Sequence, residues 1–264
     1  MSAVTERVRE YWDRASCGTS VVAAPKYSRE YFEQIEEYRY RYEPFVHAFA
    51  QFTRWRGARV LEVGVGAGTD FCQWVRAGAE AHGVDLTREA VRNTERRLAV
   101  EGLRAASLCC CNAEALPFDS DHFDLVYSWG VIHHAENMER VLAEIYRVAR
   151  PGGRIKLMVY NIRSLWAAWM YLRHCVLRGK LHRGPRWAIY HHQESCATKA
   201  YGQGEIRRLL ARYPHENLGF SCYEQQVRPE ARLARLRRWL QAVTPERWRW
   251  YMAFEFDKSE RCAE

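Results

Sequence analysis

The residues best equipped for chemistry in this chain sit at the ends of apolar runs. In Val60-Leu61-Glu62-Val63-Gly64-Val65-Gly66-Ala67-Gly68-Thr69, a β-branched run ends in a carboxylate and three alternating glycines, and an amphipathic segment follows. That order predicts a buried parallel strand, a tight turn and a helix whose N-terminus opens onto a ligand. Glycine lets the backbone turn sharply there and approach the ligand with no Cβ in the way. Asp85 closes the second apolar run, where a carboxylate can accept both ribose hydroxyls of a nucleoside. The third run leads into Asn112-Ala113-Glu114, and the fourth, Phe123–Trp129, into Gly130-Val131-Ile132-His133-His134. A neutral imidazole at such a strand end can take a hydroxyl proton. The competing reading of His133 and His134 is a pair of backbone-bonded side chains that shape the loop.

The elements that must position these residues alternate. Arg59–Val63, Ala81–Val84, Ser107–Cys111, Phe123–Trp129 and Arg154–Tyr160 read as strands. Between them Asp70–Ala77, Arg88–Val100 (capped by Thr87) and Met138–Val148 read as helices, the last stopped by Pro151-Gly152-Gly153. Such alternation builds a parallel sheet with helices on both faces. Before it, residues 1–57 form a helical extension in which Tyr31, Ile35, Tyr38, Tyr42 and Phe45 share one face, with Ser28 as N-cap. That face is either packing or a lid whose Tyr38 and Tyr42 touch a substrate. Residues 161–201 break the rhythm with an aromatic and basic insertion around Trp166. Residues 202–264 complete the sheet, with Glu205–Tyr213 helical, Leu218–Glu224 and Arg249–Phe256 as strands, and a basic helix over Pro229–Ala242.

A dinucleotide-binding dehydrogenase would carry G-x-G-x-x-G, yet the sixth position is Thr69 counted from Gly64 and Phe71 counted from Gly66, so that fingerprint fails. The ordered set E-x-G-x-G-x-G, Asp85, Asn112–Phe118, Phe123–His134 and Arg147–Gly153 instead resembles the class I S-adenosylmethionine-dependent methyltransferases. It is most similar to the small-molecule branch that includes ubiquinone/menaquinone biosynthesis enzymes, over roughly residues 58–160. The resemblance implies an α/β, Rossmann-like, doubly wound sheet of seven strands, mostly parallel with an antiparallel last strand, plus N-terminal helices and an inserted cap. It implies S-adenosylmethionine as cofactor and S-adenosylhomocysteine as product, with no metal. Glu62 and the turn Gly64, Gly66, Gly68 would flank the methionine moiety. Asp85 would hold the ribose, Asn112 and the Ala113 backbone the adenine, and Trp129 and Gly130 would border the methyl group. Family members often have aspartate where this chain has Asn112, and asparagine accepts through a neutral rather than a charged oxygen.

Methyl transfer from a sulfonium is an in-line displacement, so positioning contributes much, and a hydroxyl acceptor also benefits from a base. His134, with His133 in reserve, is the sequence's candidate, which predicts activity falling below a pH of about 6.5. The acceptor pocket is expected under the N-terminal helices and the insertion, so that removing about 40 N-terminal residues should abolish turnover and leave the sheet folded. The preferred reading is methylation of a small molecule, at the hydroxyl of a metabolite, glycoside or lipid-linked intermediate. The alternatives are an RNA methyltransferase, which the net charge of +8 permits, and a non-catalytic S-adenosylmethionine-binding protein. Against RNA, no Asn-Pro-Pro-Tyr-like motif and no RNA-binding module stand out.

The N-terminus shows no signal-peptide pattern and no apolar run is long enough to span a bilayer, so a cytoplasmic protein is expected. The run Cys109-Cys110-Cys111 alternates across a strand and cannot converge on one metal, so these are expected to be buried, reduced thiols. The segment Leu165–Leu172 followed by Arg173, Arg178, Lys180 and Arg183 suits either a cap over the pocket or contact with an anionic membrane surface.

Overall fold

The computed structural model describes residues 2–14, 16, 18–19, 22–228 and 234–260. The N-terminal segment folds as α1 (Ala3–Arg14), α2 (Arg29–Tyr42) and α3 (Phe45–Ala50). Then follow β1 (Arg59–Val63), α4 (Thr69–Arg76), β2 (Glu80–Asp85), α5 (Arg88–Glu101), β3 (Ser107–Cys110), β4 (Phe123–Trp129), α6 (Met138–Val148) and β5 (Ala149–Asn161). The insertion forms α7 (Leu165–His174) and α8 (Pro185–His192). The chain closes with β6 (Ala200–Tyr201), α9 (Gln203–Leu210), β7 (His215–Tyr223), α10 (Ala234–Val243) and β8 (Tyr251–Lys258).

The strands form one sheet in the order β3-β2-β1-β4-β5-β8-β7, with β6 adding two residues beside the end of β5. The pairs among β1–β5 are parallel, and β8 enters antiparallel between β5 and β7. The expected Rossmann-like sheet with an antiparallel last strand is therefore present. Alternate residues of β4 feed opposite layers: Leu125, Tyr127 and Trp129 pack with α3, α4, α7 and α8, whereas Val126 packs with α6 and α9. Helix α6 shows how the sequence sets this up. Asn137 caps it by accepting from the backbones of Glu139 and Arg140, each at 3.1 Å, and Val141, Leu142, Ile145 and Val148 recur on its buried face. Each such side chain contributes roughly 1.5–3 kcal/mol by leaving water.

Three local expectations change. Phe45 does not continue the aromatic face of α2, because the helix stops at Glu43-Pro44 and Phe45 opens α3. Pro151-Gly152-Gly153 does not form a separate stop, since α6 ends at Val148 and the triplet lies within β5. A Cβ on Gly153 would meet the Arg150 carbonyl at 2.7 Å and the Phe123 carbonyl at 2.9 Å. The cysteine run is not buried: β3 is the sheet's edge, so Cys109 and Cys111 are half-buried and Cys110 is exposed. Of the basic helix expected over residues 229–242, residues 229–233 lie outside the described residues, and α10 begins at Ala234.

Candidate functional site

The strand order reverses between β1 and β4, and ligands of open α/β sheets bind outside the carboxyl ends of strands at such a point. A cavity of about 490 Å³ opens there, lined from the floor by the turns after β1, β2, β3 and β4. That is within the range of about 300–1,000 Å³ usual for small-molecule sites. Gly64 sits at φ +89°, and a Cβ there would lie 2.2 Å from a Val131 methyl, so the turns after β1 and β4 approach too closely for any side chain. Gly66 sits at φ +54° and a Cβ on it would meet no atom within 4 Å, so this residue presents bare backbone to the cavity. Its N–H donates to Asp85 Oδ2 at 3.1 Å, while Asp85 Oδ1 accepts from the Thr87 N–H and hydroxyl, each at 2.9 Å. Burial pushes the Asp85 carboxyl up, and those three hydrogen bonds pull it back. Asn112 Oδ1 accepts from the Glu114 N–H at 3.0 Å, which leaves one lone pair and the amide N–H groups for a ligand.

An ionic network absent from the sequence reading supports the opposite wall. Asp70, in the first turn of α4, accepts from Arg39 at 2.8 Å and from the hydroxyls of Tyr40 and Tyr127, each at 3.1 Å. Arg39 also pairs with Glu43, whose carboxylate accepts from Trp129 Nε1 at 3.2 Å and Gln225 at 3.2 Å. Glu62 is buried and accepts from Trp74 Nε1 at 2.8 Å; burial and the neighbouring Asp70 push its carboxyl well above the usual range. Seven carboxylates line the cavity (Glu43, Glu62, Asp70, Asp85, Glu114, Glu136, Glu194) against two guanidiniums, Arg39 and Arg228. A site with that balance on a chain of charge +8 favours cationic or neutral ligands over anions.

His134 and Glu194 face the cavity together. His134 Nδ1 meets the hydroxyls of Ser195 at 2.9 Å and Thr198 at 3.1 Å, and its Nε2 lies 3.6 Å from Glu194 Oε2. Burial, reinforced by Lys199, pushes the imidazole down to about 3, so it stays neutral at ordinary pH. The expected loss of activity below pH 6.5 through His134 is therefore withdrawn. Glu194, with 36% of its side chain exposed, accepts from the Tyr160 hydroxyl at 2.8 Å; partial desolvation raises its carboxyl and that hydrogen bond opposes the rise.

Among the sequence candidates, Glu62, Gly64, Gly66, Asp85, Asn112, Ala113, Trp129, Gly130, His134 and Tyr38 line this one cavity. Gly68 does not; it caps α4, and a Cβ on it would meet Thr94 at 3.0–3.2 Å. His133 is fully buried beneath the cavity with its ring 4.0 Å from that of Tyr160, which suits packing. Tyr42 packs at a tilt against Tyr38 and under Arg228 outside the lining, and Trp166 points away, donating to Gln193 at 2.8 Å. The residues that sequence reasoning missed are Arg39, Glu43, Asp70 and Glu194. The first had a signal, an arginine between Tyr38 and Tyr40 on a face otherwise turned inward. Glu194 had another, as the first acid after Glu144.

Residues 61–157 match the family model described as a methyltransferase domain. A protein of Mycobacterium tuberculosis described as uncharacterized is 39% identical over 103 residues, 39% of this chain and 37% of that protein. The malonyl-[acyl-carrier protein] O-methyltransferase of Erwinia billingiae is 30% identical over 123 residues, 46% of this chain and 47% of that protein. The chain thus spans less than half the length of these curated relatives. Among solved structures, geranyl diphosphate C-methyltransferase from Streptomyces coelicolor A3(2) superposes with a TM-score of 0.61 at 15% identity, covering 97% of this chain and 98% of that one. With the strand order and the glycine turn already in place, the core of this chain, residues 61–157, belongs to the class I S-adenosylmethionine-dependent methyltransferases.

Proposed function

We propose that the chain is an S-adenosylmethionine-dependent methyltransferase acting on a small-molecule acceptor, with a hydroxyl as the favoured acceptor group. The observation that carries this reading is the single cavity in which the glycine turn, Asp85 and Asn112 share walls with His134 and Glu194. The residues present fit the cofactor: Gly66 leaves open space over the turn, and Asp85 is a half-buried carboxylate with lone pairs remaining after its three protein donors. Asp85 would hold the ribose, Asn112 and the Ala113 backbone the adenine, and Glu62 with Trp129 and Gly130 the methionine end. Bound there, S-adenosylmethionine supplies a methyl group on a cationic sulfonium for in-line displacement, which an acid-lined cavity accommodates.

The acceptor end falls to Tyr160, Glu194 and His134. His134, pushed down to about 3, is a poor proton acceptor, so the base role passes to Glu194, which lines the same cavity 3.6 Å from His134 Nε2. Neutral His134, oriented by Ser195 and Thr198, hydrogen-bonds the acceptor. The acidic lining argues against RNA, whose phosphates would meet like charge.

Calorimetry with S-adenosylhomocysteine tests the cofactor half. Gly66→Val places a strained side chain in the space above the turn and should remove measurable binding. Asp85→Ala should weaken binding more than tenfold, since a charge-assisted hydrogen bond is worth roughly 1.5–3 kcal/mol. Wild-type affinity in both variants would reject the assignment. Release of S-adenosylhomocysteine against hydroxyl, amine and thiol acceptors tests the catalytic half, and binding without release for any acceptor would favour a non-catalytic protein.

A further inference from the structure

The outer surface of the insertion carries a feature that the cavity does not use. From residue 161 to 193 the chain has no Asp or Glu, against Arg163, Arg173, Arg178, Lys180, Arg183 and Arg186. Among the described residues only Arg186 of these has an ion pair, with Glu205 at 2.6 Å. Leu165, Trp169 and Leu172 recur at i, i+4 and i+7 along α7 and are 46%, 43% and 40% exposed, while Ala167 and Met170 on the other side are buried in the core. Beyond α7, Leu177 and Leu181 are 70% and 64% exposed, in a loop held to the helix by the Tyr171 hydroxyl donating to the Leu181 carbonyl at 3.3 Å. Arg173, Arg178, Lys180 and Arg183 are interleaved with these leucines and exposed.

We infer that this face of the insertion docks on an anionic lipid bilayer, with the leucines and Trp169 entering the interface and the cations meeting headgroup phosphates. Apolar residues flanked by lysine and arginine are the composition that lies in a membrane interface. No helix among the described residues is long and apolar enough to cross a membrane. Two other occupants fit less well. Nucleic acid would use the cations but leave Leu177 and Leu181 in water. A second copy would set an acid-free basic face against itself, where like charges repel. The inference does not rest on methyl transfer, because it concerns a surface outside the cavity.

The test is co-sedimentation of the full chain with phosphatidylcholine vesicles, with and without phosphatidylglycerol. Binding should require phosphatidylglycerol and weaken as salt rises, because the attraction is screened. Arg178→Gln and Lys180→Gln should each weaken it roughly fivefold. Leu177→Ser with Leu181→Ser should weaken it more than tenfold. All four side chains are exposed, so melting temperature and S-adenosylhomocysteine affinity should stay at wild-type values, and that control separates this proposal from the cavity reading. No sedimentation with phosphatidylglycerol vesicles, equal binding to the uncharged ones, or unchanged binding in the variants would overturn it. So would RNA binding or self-association that shows the same residue dependence while vesicles are ignored.

Discussion

The floor and the roof of the cavity are built from different materials. The floor is backbone: Gly64, Gly66, Gly130 and the Asx turn at Asn112 present main chain at strand ends, braced by Asp85. The roof is side chains drawn from distant segments: Trp12 of α1, Arg39 and Glu43 near the end of α2, Glu194 past α8, and Gln225 and Arg228 beyond β7. Backbone geometry is written in glycines at fixed spacing and shows in a short window of sequence. Side-chain geometry depends on which remote segments meet, and no local pattern encodes it. A floor of that kind fits a constant ligand, and a roof of that kind fits the ligand that varies between family members.

The sharpest way to break this contrast is Glu194→Gln. If the roof supplies the base, this nearly isosteric change should lower kcat by about 10²–10⁴ once an acceptor is found, and leave S-adenosylhomocysteine affinity within a factor of two or so. Steady-state kinetics beside calorimetry separates the two. Loss of cofactor affinity with kcat intact would place Glu194 with the floor. An unchanged kcat would indicate an amine, thiol or carbon acceptor that needs positioning alone.

The next test concerns how the roof is attached. Arg97 of α5 is fully buried and pairs with Glu36 of α2, with Glu101 at 2.9 Å, and with the Thr69 hydroxyl at 3.1 Å. Phe32 and Ile35 of α2 are buried as well. The expectation that about 40 N-terminal residues can go without harm to the sheet therefore changes, because that deletion strips a buried charge and uncovers core. Glu36→Gln isolates the electrostatic part and should cost about 1–3 kcal/mol in urea unfolding, since Arg97 keeps two partners. A change below a few tenths of a kcal/mol would mean that the roof is held by its apolar contacts. Deletion through Arg14 alone, which spares α2, is the cleaner probe of α1 as a cover and should weaken S-adenosylhomocysteine binding without loss of the fold.

Legibility followed the same division. Strand ends, the turn, Asp85 and the helices α5 and α6 could be read because apolar periodicity and caps such as Thr87 act over a few residues. The break after α2 was missed because Tyr42 and Phe45 keep helical spacing across Pro44, and periodicity ranked above the proline. The exposed cysteines were missed because β3 being an edge strand is a fact of topology, not of its own composition. The Arg39–Asp70–Glu43 network escaped for a third reason: charged residues read as surface until a fold brings opposite charges together out of water.

The smallest effect, and the one that tests the environment of the roof most directly, is the pH dependence of stability. Unfolded, His134 takes a proton near pH 6.5; folded, burial holds it down to about 3. A depressed folded value means that acid favours the unfolded chain. The contribution of His134 is thus complete above pH 6.5 and is lost as pH falls from there toward 3. The slope is about 1.4 kcal/mol per pH unit within that window. His133, fully buried and also pushed well down by burial, acts in the same direction, so wild type alone cannot separate the two. His134→Gln retains His133 and removes one titrating group. Between about pH 7.5 and 5.5, wild type should therefore lose about 1.4 kcal/mol more than the variant in urea unfolding. Equal losses would mean that His134 protonates as easily in the folded chain as in water. Glu194, 3.6 Å from its Nε2, would then be stabilising an imidazolium, and the proton acceptor of the roof would be the His134–Glu194 pair instead of the carboxylate alone.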